Sequence, residues 1–135
     1  MSATLHISLP VADLKEAEAF YVGALGAEIG RRRDDWMDVW LFGAQITLHE
    51  APGSLLPVNG QGHRHFGATL SASDWEAFRA RALGANVVFV RLIQTENAGA
   101  PDEQSKFMIA DPSGNHIEFK TYPNEAVALE RPGAL

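Results

Sequence analysis

HISLPVADLKEAEAFYVGALGA, residues 6–27, decides how the chain is read, because its plan occurs twice. Residues 5–10 alternate like a strand, and residues 11–24 then carry apolar side chains at helical spacing, with Leu14, Ala17, Tyr21 and Ala24 on one face. Asp13 and Glu16 form a capping pair. Gly26, between Leu25 and Ala27, can take the left-handed conformation that ends a helix. The stretch HFGATLSASDWEAFRARALGA, residues 65–85, repeats these features: a strand over 66–70, Ser73 with Glu76 as a capping box, Trp75, Phe78 and Ala82 on a helix face, and Leu83-Gly84-Ala85 at the close. His6 stands 19 residues before Leu25 and His65 stands 18 before Leu83, so both histidines hold the same place in their units.

Strand-like segments follow each helix: 28–32, 36–42 and 45–49 in the first half, then 86–90, 106–110 and 116–121 in the second. Each half is therefore βαβββ, and the fold class is α+β with two such modules in one domain. Module one covers 4–50, a Pro- and Gly-rich linker 51–62, module two 63–122 and a tail 123–135, with a loop over 94–102 inside module two.

The composition suits one globular domain: 135 residues, 46% hydrophobic. With 17 acidic and 11 basic residues, a net charge of -6 opposes a role in binding nucleic acid. The run Arg31-Arg32-Arg33 is followed at once by Asp34 and Asp35 and reads as a solvated charged turn. The sequence has no cysteine, which excludes disulfides, thiolate catalysis and cysteine-bound zinc, so a metal would have to be held by His, Asp or Glu. No apolar run reaches the length of a membrane span and the start lacks a secretory pattern, so the expectation is a cytoplasmic protein with no membrane partner.

Strand alternation decides which side chains share a surface. With Leu5, Ile7 and Leu9 against the helix, His6 turns to the other face, and His65 does the same opposite Phe66. In 45–49, Ile46 and Leu48 pack inward while Thr47 and His49 face out, leaving Glu50 at the strand exit. In ADPSGNHIEFK, residues 110–120, Ile117 and Phe119 pack while His116, Glu118 and Lys120 face out. A carboxylate between two core residues needs water, a cation or a metal to offset its desolvation, which makes Glu118 the position to explain. Trp36, Asp38 and Trp40 share one face, either lining a substrate wall or packing in the core, and Trp75 reads as core. His63 and His116 read as surface residues.

Two βαβββ units, a histidine in the first strand of each and the closing DPSGNHIEFK resemble the vicinal oxygen chelate superfamily of glyoxalases, extradiol dioxygenases, fosfomycin-resistance transferases and bleomycin-binding proteins. The resemblance runs from Leu5 to Tyr122. It implies paired half-cups around a divalent metal, whether Zn, Fe, Mn, Co or Ni, with His6, His65 and Glu118 as ligands and Glu118 as the catalytic carboxylate. The fourth place, in the last strand of the first unit, is a glutamate in glyoxalases, and strand alternation offers His49 here. The implied function is a metal-dependent lyase, isomerase or dioxygenase acting on a small substrate with vicinal oxygens. The alternative is a non-catalytic binding protein of the bleomycin-resistance type, and a structural dimerisation module gains nothing from the facing histidines. The resemblance also implies a homodimer whose sites are shared between chains.

Overall fold

The computed structural model describes every residue except 58, 131 and 133–135. Module one contains β1 (His6–Val11), β2 (Glu28–Arg32), β3 (Trp36–Leu41) and β4 (Ala44–Glu50), ordered β1-β4-β3-β2 in one sheet. Module two contains β5 (Phe66–Leu70), β6 (Val88–Glu96), β7 (Gln104–Ala110) and β8 (His116–Thr121), ordered β5-β8-β7-β6 in a second. The pairs β1/β4 and β5/β8 are parallel and the rest antiparallel, so both sheets have the same topology. The α+β pair of βαβββ units read from the repeat is the fold.

The helices correct the local reading in three places. Val11 belongs to β1, and α1 (Leu14–Glu18) continues as a wider π turn over Ala19–Ala24, where the Leu25 N–H reaches the Phe20 carbonyl at 3.0 Å. Asp13 caps α1 as expected, its Oδ1 accepting from the Glu16 N–H at 2.9 Å. The second helix, α2 (Ala72–Gly84), is capped by Ser71 and not by Ser73, with Ser71 Oγ accepting from the Asp74 N–H at 3.2 Å. The cap thus lies seven residues past His6 but six past His65, so the one-residue difference between the repeats sits in the strand-to-helix turn. Gly26 has φ of +76° and closes the first helix as expected. β6 extends through Glu96, shortening the loop expected at 94–102, and the tail carries a short α3 (Glu125–Leu129). No helix among the described residues is long and apolar enough to cross a membrane.

The helix-facing sides of both sheets supply one core, in which Tyr21, Leu25, Ile46 and Leu48 of module one join Trp75, Phe107, Ile117 and Phe119 of module two. The Trp75 indole N–H donates to the Phe119 carbonyl at 3.0 Å, and Phe42 bridges the modules with its ring 5.5 Å from Phe78 and 5.4 Å from Phe119. The turn 111–115 adds a polar staple. Tyr21 donates its hydroxyl to the buried Asp111 at 2.8 Å, Asn115 Nδ2 donates to the Pro10 carbonyl at 2.9 Å, and Ser113 Oγ accepts from the Ala12 N–H at 2.8 Å. Burial, reinforced by the Asp111 charge, pushes the Tyr21 hydroxyl well above the ordinary tyrosine pKa and keeps it a donor. With the helix sides joined in this way, the other face of each sheet is left for chemistry.

Candidate metal centre

In module two the site is built by one rung of the parallel pair β5/β8. Gly67 lies directly opposite Glu118, and His65 precedes it on the same face. A Cβ at Gly67 would run into the Glu118 backbone carbonyl, so only glycine permits this approach of the two strands. His65 Nε2 stands 3.9 Å from Glu118 Oε1. Two donors on one divalent ion, each bound at about 2.1 Å, are separated by about 3–3.5 Å, so a small side-chain adjustment fits this pair to a shared metal. The other ring nitrogen, His65 Nδ1, lies 2.7 Å from the His63 carbonyl. A carbonyl can only accept, which puts the proton on Nδ1 and the free lone pair on Nε2, toward Glu118. Lys120 Nζ also lies 3.9 Å from Glu118 Oε1 and adds a cation to this face. Of the three compensations open to Glu118, a cation is present in Lys120, and His65 stands where a second donor to a metal would have to be.

Module one places His6 in the equivalent position but surrounds it differently. Ser8 lies opposite Thr47, the rung that corresponds to Gly67 and Glu118, so the place of the second carboxylate is taken by a hydroxyl. His49 lies opposite Pro10, two residues and about 7 Å further along the strand, at the rung corresponding to Lys120. Alternation put Thr47 and His49 on one face and pointed to His49 over Glu50; the register makes Thr47 the counterpart of Glu118. Thr47 Oγ1 donates to Asp38 Oδ1 at 2.7 Å, Arg31 Nε donates to Asp38 Oδ2 at 2.7 Å, and Gln45 joins His6 Nδ1, at 3.0 Å, to Asp38 Oδ2, at 3.3 Å. Desolvation alone would raise the Asp38 carboxyl pKa, but the Thr47 hydroxyl and the Arg31 guanidinium outweigh it and hold the carboxyl below its ordinary value.

Within one chain, His65 and Glu118 come together, but among the described residues no three His, Asp or Glu side chains gather closely enough to hold an ion. His6 and His49 stand apart from the pair. Glu50 points back to the helix side, its Oε1 accepting from the Leu14 N–H at 3.2 Å. Trp36 and Trp40 lie on the outer face with Asp38, not in the core, and the Arg31 and Arg33 guanidiniums cover the Trp36 ring at 5.1 and 5.5 Å. The arginine run is solvent-exposed, as expected, but Arg31 and Arg32 lie in β2 and not in a turn, and they are paired: Arg31 with Asp38 and Arg32 with Glu18. Sequence reasoning placed Asp38 on the right face but missed Gln45 and Thr47 as its partners. The signal lies in cross-strand pairing, which alternation within one strand does not carry.

A cleft of about 290 Å³ opens beside His65, at the seam between β1, β5 and the linker, with apolar walls from Ile7, Leu9, Leu55, Leu56 and Phe66. A second hollow, of about 270 Å³, lies directly over His65, Gly67, Glu118 and Lys120. His116, read as a surface residue, is half-buried at the edge of the first cleft.

A trivalent organoarsenical cleaving enzyme from Bacillus sp. (strain MD1) is 28% identical over 116 residues, covering 84% of this chain and 70% of the relative. Among solved structures, a glyoxalase/bleomycin resistance protein/dioxygenase from Alicyclobacillus acidocaldarius superposes with a TM-score of 0.82 at 28% identity, over 93% of this chain and 95% of that one. The fosfomycin resistance protein FosX from Listeria monocytogenes shares the fold with a TM-score of 0.72 at 18% identity, over 93% and 97% of the two chains. The sequence model of one family matches residues 4–119, most of the length, and the chain belongs to that family, the glyoxalase/bleomycin resistance protein/dioxygenase superfamily.

Proposed function

We propose that the protein is a metal-dependent enzyme acting on a small substrate with two neighbouring oxygens, with His6, His65 and Glu118 as the ligand set. The observation that carries this reading is the pairing of His65 Nε2 with Glu118 Oε1 on an open sheet face, with His6 at the equivalent position of a second, topologically identical sheet. Thr47 at the fourth place leaves two histidines and one carboxylate, the donor pattern of non-haem iron oxygenases, so iron and a dioxygenase reaction are favoured among the possibilities. When bound, such an ion acts as a Lewis acid toward substrate oxygens or supports dioxygen chemistry. The chain's own part is to hold and orient: Glu118 and His65 fix one side, Lys120 offers a cation to an oxyanion of the substrate, and the hollow over His65, Gly67, Glu118 and Lys120 gives the substrate room.

The organoarsenical chemistry of the Bacillus relative does not suit this chain. Trivalent arsenic is a soft acid that favours thiolates, and this sequence has no cysteine.

The separation of His6 from the pair in one chain supports a two-fold dimer in which the first module of one chain completes the second module of its partner. β1 and β5, the strands at the two histidines, are both edge strands and are free to adjoin another chain. Equilibrium dialysis of chelator-treated protein against Fe²⁺, Mn²⁺, Zn²⁺ and Ni²⁺ tests the metal, and dioxygen uptake with iron and a panel of vicinal diols tests the reaction. The expectation is one bound ion per site, lost in His6→Ala and in Glu118→Gln, with partial return of binding when the two variants exchange subunits. Undiminished binding in both variants overturns the ligand set, and metal-free protein that still sequesters small molecules supports the bleomycin-resistance type of function. Mixed dimers that recover nothing place the site within one chain.

A further inference from the structure

Asp38 is a carboxylate only 1% exposed on the face that carries the candidate ligands, yet the proposed ligand set does not use it. Three donors already engage it: Thr47 Oγ1 on Oδ1, and Arg31 Nε with Gln45 Nε2 on Oδ2. A buried carboxylate is costly even when paired, so its position calls for a consequence elsewhere. That consequence runs through Gln45. An ionised carboxylate only accepts hydrogen bonds, so Gln45 must turn its NH₂ toward Asp38 and therefore its Oε1 toward His6. Oε1 also only accepts, so His6 Nδ1, at 3.0 Å, must carry the proton. The lone pair of His6 is then left on Nε2. Were the amide reversed, its NH₂ would face Nδ1 and draw the lone pair there, leaving Nε2 protonated and unable to bind a metal.

We propose that Asp38 is a positioning residue which, through Gln45, locks His6 in the Nδ1–H form and presents Nε2 as the donor of this half-site. The proposal rests on the ligand set given above. Module two reaches the same end by other means: its counterpart of Asp38, opposite Glu118 on β7, is Met108, and His65 is fixed by the His63 carbonyl. A backbone carbonyl has fixed polarity, whereas a glutamine amide does not until a charge beyond it sets the direction. Only the half-site that relies on a reversible amide has a buried carboxylate behind it.

The test reads the tautomer directly in metal-free, ¹⁵N-labelled full-length protein at about pH 8, above the ordinary histidine range. Two-bond proton–nitrogen correlation distinguishes Nδ1–H from Nε2–H for each histidine. In the wild type, His6 and His65 should both be Nδ1–H. Asp38→Met, which copies module two, and Gln45→Met, which leaves Asp38 with Arg31 and Thr47, should each move His6 to Nε2–H or to a mixture while His65 stays unchanged. Should Asp38→Met fail to fold, Gln45→Met alone still reads the relay. In dialysis against Fe²⁺ or Zn²⁺, both variants should lose about 10–100-fold in affinity, as expected for a partner behind a ligand. A wild-type His6 in the Nε2–H form, or one that keeps Nδ1–H in the variants, overturns the proposal. If the tautomers shift as expected but His6→Ala binds metal as tightly as the wild type, the relay stands and the ligand set fails.

Discussion

The two modules have the same strand order, the same parallel pair and a histidine at the same rung, but they place different chemistry on their outer faces. Module two is sparse: Gly67 lets the backbone close in, Glu118 faces His65, and a main-chain carbonyl orients the ring. Module one is a hydrogen-bonded network, in which Asp38, Gln45, Thr47 and Arg31 surround one histidine and no carboxylate stands opposite Ser8. Duplicated topology therefore fixes which rungs correspond, while side-chain identity at each rung decides which half carries an outer-face carboxylate beside its histidine. The ligand set proposed above has three donors where a symmetric pair of modules would give four, and three donors leave more of a coordination sphere open.

The comparison is broken most severely at Glu118. Glu118→Gln should weaken divalent-metal binding more than 100-fold, beyond the roughly 10–100-fold effect of outer partners, while the melting temperature of the metal-free protein stays close to the wild type. Titration calorimetry measures the first and differential scanning calorimetry the second. Equivalent small residues should then respond unequally. Gly67→Ala forces a methyl against the Glu118 carbonyl and should cost about 1–3 kcal/mol or more of stability. Ser8→Ala, at the same rung of module one, should stay within about 0.5 kcal/mol, and urea unfolding of the pair gives the difference. Thr47→Val removes one donor from buried Asp38 but leaves Arg31 and Gln45, so it should cost about 1–2 kcal/mol. Thr47→Ser keeps the hydroxyl donor and loses only a methyl, and an equal loss there would assign the Thr47 effect to packing. The smallest change belongs to His49→Ala. Two residues beyond the rung of Thr47, it should alter metal affinity by about twofold at most, and a loss approaching that of Glu118→Gln would return His49 to the ligand set.

Much of this site can be read along the chain. His6, His65 and Glu118 each sit in a strand whose neighbours Ile7, Phe66, Ile117 and Phe119 are apolar, and a period of two leaves them only the outer face. The repeated strand, cap and Leu-Gly-Ala ending set out the βαβββ plan because those signals act within a few residues of each other. Alternation could not choose between Thr47 and His49, which have the same parity, because the choice depends on which residue of β1 lies opposite, a fact about pairing across 39 residues of chain. The cap of α2 was misplaced for a milder reason, since Ser71 and Ser73 offer the same hydroxyl and only the strand-to-helix turn selects between them.

Local periodicity and residue chemistry are enough to set the module plan, the faces of the three candidate ligands and the absence of any thiolate. Tertiary structure alone decided that DPSGN does more than turn the chain. Tyr21, Ala12 and Pro10 reach Asp111, Ser113 and Asn115 only after the helix sides of both modules have met in one core. It also joined Asp38 to His6 through Gln45, because that chain of donors and acceptors crosses three strands whose order β1-β4-β3 no single segment encodes. Hydrogen-bond polarity passes from one side chain to the next only when pairing brings them within about 3 Å, and that proximity is set by the folding of the whole module.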